Sequence, residues 1–287
     1  MTRRSAQEQR APGSSGAYGL EIRGAAGAAR LLVEARAGWP PLRIIRRSGP
    51  VAASPDVFGV SHAELRVRGG GGRIRIDRKP SRAVFTTPTR VSDDAFAHPY
   101  LAPVAAVVAY WLGRPSFHGG GVVVNGGVWG VLGERDAGKS STLAWLARAG
   151  YGVVSDDLLV LEGTTVFAGP RAVDLRADPA RELGGCVELG FVGQRERWRL
   201  PLDGIASELP LRGWVYLGWG DRVEAVPIPV SERLQRLDPM MSLRLPFVRP
   251  SLLLELVSLP TWELRRPRRW DSISEAADSL VQLADSR

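Results

Sequence analysis

The chain has 287 residues, of which 44% are hydrophobic, 24% charged and 7% aromatic. That composition excludes collagen-like, coiled-coil and disordered classes, and leaves one large domain or two smaller ones with enough length for a self-sufficient core. The single cysteine, Cys186, excludes an intramolecular disulfide framework and a multi-cysteine zinc cage, and reads as inert filling. The net charge is +8, but 36 of the 38 basic residues are arginine, scattered apart from Arg46-Arg47 and Arg265-Arg266-Pro267-Arg268-Arg269. With abundant alanine and glycine, this reads as the codon bias of a GC-rich genome. Nucleic acid is therefore not the expected partner; a basic groove for an acidic peptide or for phosphates fits equally well.

Residues 1–16 are polar and rich in Gly, Ser, Arg and Gln, and are expected to form a mobile tail. They lack the apolar stretch of a secretory signal. The longest apolar run, 101–112, falls short of the ~20 residues of a membrane helix, so a soluble cytoplasmic protein is expected. A small β-rich domain is expected over 17–91, with short runs at 19–22, 42–46, 64–68 and 73–78. Leu65 and Val67, then Ile74 and Ile76, alternate with charged residues, as half-buried strands do. The glycines at 69–72 supply the turn between them, and the whole reads as an antiparallel sheet.

The second domain is expected over 92–287. Ser92-Asp93-Asp94 is placed to cap an apolar core helix over 95–112, bent at Pro103. Residues 122–124 and 128–132 read as strands joined by Asn125-Gly126-Gly127. Further on, 214–219 and 222–226 read as a hairpin, 231–237 as a short helix and 271–284 as a terminal amphipathic helix.

Gly133-Glu134-Arg135-Asp136-Ala137-Gly138-Lys139-Ser140 fits the phosphate-loop pattern G-x-x-x-x-G-K-[S/T] without deviation. In such a loop successive backbone N–H groups converge on phosphate oxygens, and the following helix adds the positive end of its dipole. Lys139 would reach the β- and γ-phosphates of ATP, and the Ser140 hydroxyl would ligate Mg²⁺, with Ser141 next in the helical turn. From the frequencies of Gly, Lys, Ser and Thr in this chain, roughly 0.003 matches are expected by chance. A β-type run precedes the motif and a helical run closed by Gly150 follows it, which is the required context.

Sixteen residues past Ser140 an apolar run ends at Asp156-Asp157. A carboxylate at a strand end beside a phosphate loop is where a Mg²⁺-organising group must sit. Two adjacent carboxylates allow one to serve the metal and the other a substrate hydroxyl. Arg171 and Arg176 in G-P-R-A-V-D-L-R are candidates for holding phosphates or an acceptor peptide, because a Gly-Pro turn can aim a guanidinium. Residues 244–250, R-L-P-F-V-R-P, read as a connector, with a substrate loop as the alternative.

The order F-H-G (117–119), strand, turn, strand, phosphate loop, helix, V-V-S-D-D (153–157) resembles the bacterial HPr kinase/phosphorylase family. It is most similar to the shorter members that phosphorylate lasso-type ribosomal precursor peptides. A-Y-G-L-E-I (17–22), H-P-Y-L-A (98–102) and A-G-P-R-A-V-D-L-R (168–176) carry that likeness, which is densest over 98–176. The resemblance implies an α/β P-loop kinase core of the HPr kinase and phosphoenolpyruvate carboxykinase type: a twisted mixed sheet with flanking helices. It implies Asp156 as base or orienting carboxylate, Asp157 as Mg²⁺ partner, and His118 near the phosphates; the two Asp roles can exchange. It further implies an ATP- and Mg²⁺-dependent kinase acting on a Ser or Thr hydroxyl of a peptide or small protein. A small-molecule kinase and a nucleotide-dependent regulatory ATPase are the alternatives, and a homo-oligomer stays open. Two departures stand out. The Gly-rich downstream signature used in phosphorolysis is not found, and Thr142 stands where the HPr enzymes usually place Glu. The first speaks against phosphorylase activity and against HPr as the acceptor.

Overall fold

The computed structural model describes residues 13–52, 55–67, 71–246 and 249–286. Most of the expected tail, 1–12, lies outside them, as do 68–70 and 247–248. The tail ends earlier than expected, because Ser15–Ala17 is already a strand paired with Leu20–Arg23 and Val33–Glu34. The N-terminal sheet has eight strands in the order Val33–Glu34, Ser15–Ala17, Leu20–Arg23, Pro41–Ser48, Arg82–Thr87, Gly72–Asp77, His62–Val67, Val57–Phe58. Leu65, Val67, Ile74 and Ile76 are all buried, as their alternation requires. The sheet is mixed, however, not antiparallel. Pro41–Ser48 runs parallel to both its neighbours, Leu20–Arg23 and Arg82–Thr87. Parallel neighbours need a crossover instead of a tight turn. Here the crossovers are the helical turn Ala26–Leu31 with its edge strand, and the hairpin strands from Val57–Phe58 to Gly72–Asp77.

Ser92 does cap a helix start, its Oγ accepting from the Ala95 N–H at 3.2 Å. The expected continuous helix is broken at His98-Pro99, not bent at Pro103. Proline disfavours the helical conformation of the residue before it, and His98 is extended at φ −151°, ψ 123°. The chain re-enters a buried helix at Leu101–Trp111. Pro103 falls in its first turn, where no N–H is required. The break turns His98 inward.

Gly-rich and Val-rich segments then build the central sheet. Gly120–Val124 and Gly127–Leu132 form a hairpin whose two turn residues, Asn125 and Gly126, have φ of 49° and 72°. Gly127–Leu132 lies parallel to the long strand Glu208–Trp219, which lies parallel to Thr261–Arg266 on its other side. Gly152–Ser155 pairs antiparallel with Gly120–Val124. Two antiparallel steps restore direction, so the ends of Gly127–Leu132 and Gly152–Ser155 emerge on the same side. The expected hairpin of 214–219 with 222–226 does not form. Thr261–Arg266 lies between them, bonded to Glu208–Trp219 and to Glu224–Pro227.

Both faces of this sheet are covered. Val128, Leu132, Trp214 and Tyr216 join the core shared with Leu101–Trp111 and the N-terminal sheet. The alternate residues Trp129, Val131, Val215, Leu217 and Leu264 face Leu143, Leu146, Ala276 and Leu280 of the helices Lys139–Arg148 and Ser272–Asp285. The result is the expected mixed α/β class, a mixed sheet with flanking helices. Trp214 is 1% exposed, donates Nε1–H to the Leu256 carbonyl at 3.1 Å and meets Phe117 edge-on. Trp214→Ala is expected to cost about 3–5 kcal/mol in chemical denaturation. A loss under about 1 kcal/mol would mean that this joint is not part of the core.

Candidate active site

The strand Gly127–Leu132 runs straight into the phosphate loop, and the helix Lys139–Arg148 leaves it. Gly133 has φ 141°, and a Cβ there would stand 2.7 Å from the Leu217 carbonyl oxygen. Gly138, at φ 88°, makes the left-handed turn into the helix. Lys139 is buried, its ammonium donating to the carbonyls of Gly133 at 2.8 Å and Glu134 at 2.9 Å. Burial lowers its pKa, while Asp157, Asp156 and Asp136 oppose that. Ser140 donates its hydroxyl to Asp156 Oδ1 at 3.0 Å. Glu134, Arg135 and Asp136 form the exposed rim, Ala137 packs inward, and Ser141 lies in the first helical turn. Arg176 reaches this rim, its Nη2 2.6 Å from Asp136 Oδ1.

A cleft of about 330 Å³ opens at the loop, lined by His118, Gly133, Glu134, Arg135, Pro239, Met240 and Arg244. A groove of about 340 Å³ along 238–245 shares Pro239 and Arg244 with it. The segment 244–250 therefore borders the loop through Arg244. His118 is held at the cleft by its N–H, which donates to the Met240 carbonyl at 2.7 Å. Its Nδ1 lies 3.2 Å from the Asp157 carbonyl oxygen.

Asp156 and Asp157 follow Gly152–Ser155 and occupy different surroundings. Asp156 is 3% exposed; burial and then the adjacent Asp157 push its carboxyl up to about 8. Asp157 sits at φ 71° with a half-buried side chain. Burial would raise its pKa, but His98, His118, Arg197 and Arg195 together hold it below the usual carboxylate range. His98 Nε2 stands 3.4 Å from Asp157 Oδ2, 3.9 Å from Asp156 Oδ2 and 3.8 Å from Asp174 Oδ2.

His98 and Asp174 had no assigned role in the sequence, although both lie in segments that carry the family likeness. The available signal was the His-Pro step, which predicts an extended residue inside a helical run. Asp174 is held from the opposite strand position by Arg199, at 2.7 Å from Nε and 2.9 Å from Nη2. Arg197 Nη1 adds a contact at 3.5 Å. Arg171 lies apart from the loop rim. It is 5% exposed and donates to the carbonyls of Asp203 and Val153, so its guanidinium is an internal anchor. Arg195 stands near Arg197, Asp157 and Arg176, where sequence reasoning looked for none; burial and then Arg197 lower its pKa.

No protein-family model matches the chain, and no curated protein does. Among solved structures, the Hpr(Ser) kinase/phosphatase from Coxiella burnetii is similar, with 14% identity and a TM-score of 0.30. The likeness covers 60% of this chain and 99% of that one. A score that low assigns neither fold nor activity. No helix among the described residues is long and apolar enough to cross a membrane.

Asp174 has no exposed side-chain surface and faces two guanidinium groups. Asp174→Ala leaves those charges buried and is expected to cost about 3–5 kcal/mol in urea unfolding. A change within about 0.5 kcal/mol would show that the arginines find water or another partner.

Proposed function

We propose that this protein is an ATP- and Mg²⁺-dependent kinase that transfers the γ-phosphate to a Ser, or secondarily a Thr, hydroxyl of a peptide or small protein. The observation that carries this reading is the Ser140–Asp156 hydrogen bond at the start of the loop helix. It joins the loop hydroxyl to a strand-end carboxylate, the pair that organises Mg²⁺ in phosphoryl transfer. The donor set fits the group: Asp156 Oδ2 is buried without a hydrogen-bond partner, and Lys139 is already drawn into the loop. ATP supplies the transferred phosphoryl group, with Mg²⁺ to neutralise its charge.

The residues divide the remaining work. Lys139 turns its donors from the Gly133 and Glu134 carbonyls to phosphate oxygens. Ser140 and Asp156 hold the metal, the exchange of roles that the family likeness leaves open, because Asp156 is the carboxylate bonded to Ser140. Asp157, the more exposed of the two, orients the acceptor hydroxyl. His118 and Arg244 line the cleft beside the loop, while Arg176 and Arg195 supply positive charge for phosphate or an acidic peptide. A ribosomal precursor peptide in the cytoplasm is the acceptor that the sequence resemblance favours.

Incubation with Mg²⁺, ATP and flexible Ser-containing peptides, followed by mass spectrometry, should show phosphate on Ser that persists in excess inorganic phosphate. Lys139→Ala should abolish transfer and weaken ATP about 10–100-fold by calorimetry, the loss of one or more charge-assisted hydrogen bonds. Equal ATP affinity in a folded variant would sink the loop assignment.

The two carboxylates separate by substitution. Asp157→Asn should keep nucleotide affinity and lose about 10²–10⁴-fold in turnover, as expected for a group acting on the acceptor. Asp156→Asn should instead raise the Mg²⁺ concentration needed for half-maximal rate. Near wild-type turnover in both would make the pair a structural turn.

A further inference from the structure

We propose that Trp219 and Arg268 form a nucleobase subsite on the flank of the phosphate loop away from Asp156 and Asp157, where the base of a nucleoside triphosphate stacks on the Trp219 ring. The subsite rests on the reading of the loop as a nucleotide site and extends it, because neither the loop nor the acid pair recognises a base. The first ground is topological. Gly120–Val124 and then Gly152–Ser155 lie to one side of Gly127–Leu132, while Glu208–Trp219 and then Thr261–Arg266 lie to the other. Gly127–Leu132, Glu208–Trp219 and Thr261–Arg266 are parallel, so their C-terminal ends emerge together. Ligands of open α/β sheets bind outside the carboxyl ends of such strands. The acids occupy one flank of the loop there. Trp219 and Arg266, paired across two strand ends, occupy the other.

The second ground is proximity. A Cβ on Gly138 would stand 3.2 Å from Cη2 of Trp219 and 3.0 Å from Arg266 Nη2, so the half-buried indole lies against the last glycine of the loop. In a phosphate loop the backbone N–H groups cradle the α- and β-phosphates, while the transferred γ-phosphate faces the metal and the acceptor. The nucleoside therefore leaves on the flank away from Asp156 and Asp157, which is the flank that Trp219 occupies.

The third ground is chemical. Two guanidinium groups lie over the Trp219 ring, Arg266 at 4.7 Å from its centroid and Arg268 at 5.6 Å. Arg266 is buried and fixed, its Nη1 donating to the Pro267 and Arg269 carbonyls and lying 3.1 Å from Ser272 Oγ. Those bonds hold the turn that carries Arg268, and Trp270 of the same turn meets Trp145 of the loop helix edge-on. Arg268 is exposed and, among the described residues, has no ion-pair partner. A base on the indole displaces only this free side chain, whose planar guanidinium can then cover the base's other face. Stacking tolerates any base, since each has a π-face, so the subsite adds affinity for a nucleoside without demanding adenine.

The test uses the full chain with Mg²⁺ and compares ATP with inorganic tripolyphosphate, which offers the loop phosphates without a base, by calorimetry. Wild type should bind ATP about tenfold or more tightly than tripolyphosphate. Trp219→Ala should remove that preference by weakening ATP alone, whereas Trp219→Phe keeps a ring and should keep most of it. Trp219→Leu retains apolar cover over Gly138 and decides where Trp219→Ala does not fold. Equal affinities for the two ligands in wild type, or an undiminished preference in folded Trp219→Ala or Trp219→Leu, overturns the subsite. Binding of neither ligand overturns the subsite and the loop assignment together. The kinase reading fails separately: a Trp219-dependent preference for ATP without transfer to any Ser peptide keeps the subsite and removes only the phosphotransfer.

Discussion

Arg199 spends its guanidinium on two elements that are distant in sequence. Nε and Nη2 hold Asp174 on the facing strand, Nη2 also reaches the His98 carbonyl, and Nη1 donates to the Asp94 carbonyl at 3.0 Å. One buried fork therefore ties Arg195–Pro201 to the helix start and to the break that follows it. The break orients His98, and His98 faces the carboxylates beside the phosphate loop. A lysine could not substitute, because its point charge lacks the planar fork that reaches a carboxylate and two carbonyls together.

The loop and the carboxylates share an electrostatic problem. Two adjacent acids at the end of Gly152–Ser155 have little solvent, and the nearest ammonium is held by backbone carbonyls. The burden falls unequally. Asp156, the more buried, is driven toward its neutral form; Asp157, facing His98, His118 and two arginines, stays charged. Such divergence between neighbouring groups is characteristic of sites that bind cations or move protons.

What could be read from the sequence was what local spacing encodes. The phosphate loop is legible because glycines at 133 and 138 and a lysine at 139 specify a backbone path independently of what packs on it. The Asn125-Gly126 turn is legible for the same reason. Pairing between distant segments is not. Nothing local tells 214–219 that Thr261–Arg266, and not the nearer 224–227, will lie beside it. The mixed direction of the N-terminal sheet likewise depends on crossovers. His98 differs, because its signal is local: Pro99 disfavours a helical residue before it, whereas Pro103 sits in a first helical turn that tolerates proline.

The arginine-rich composition also acquires a structural meaning. Arg171, Arg199 and Arg233 cap backbone carbonyls, Arg233 reaching those of Ile228, Val257, Ser258 and Leu259. Arg114 donates to the Gly19 carbonyl and lies over the Phe167 ring, joining the first hairpin to the central sheet. These four guanidinium groups are thus internal bonding, not part of a basic face for a polyanion. Arg135 and Arg244 line the cleft, Arg176 meets the loop rim, and Arg195 is close to Asp157. Positive charge is thus gathered around one opening, above buried acids. The proposed phosphotransfer would use that layering, with phosphates at the rim and their metal ion beneath.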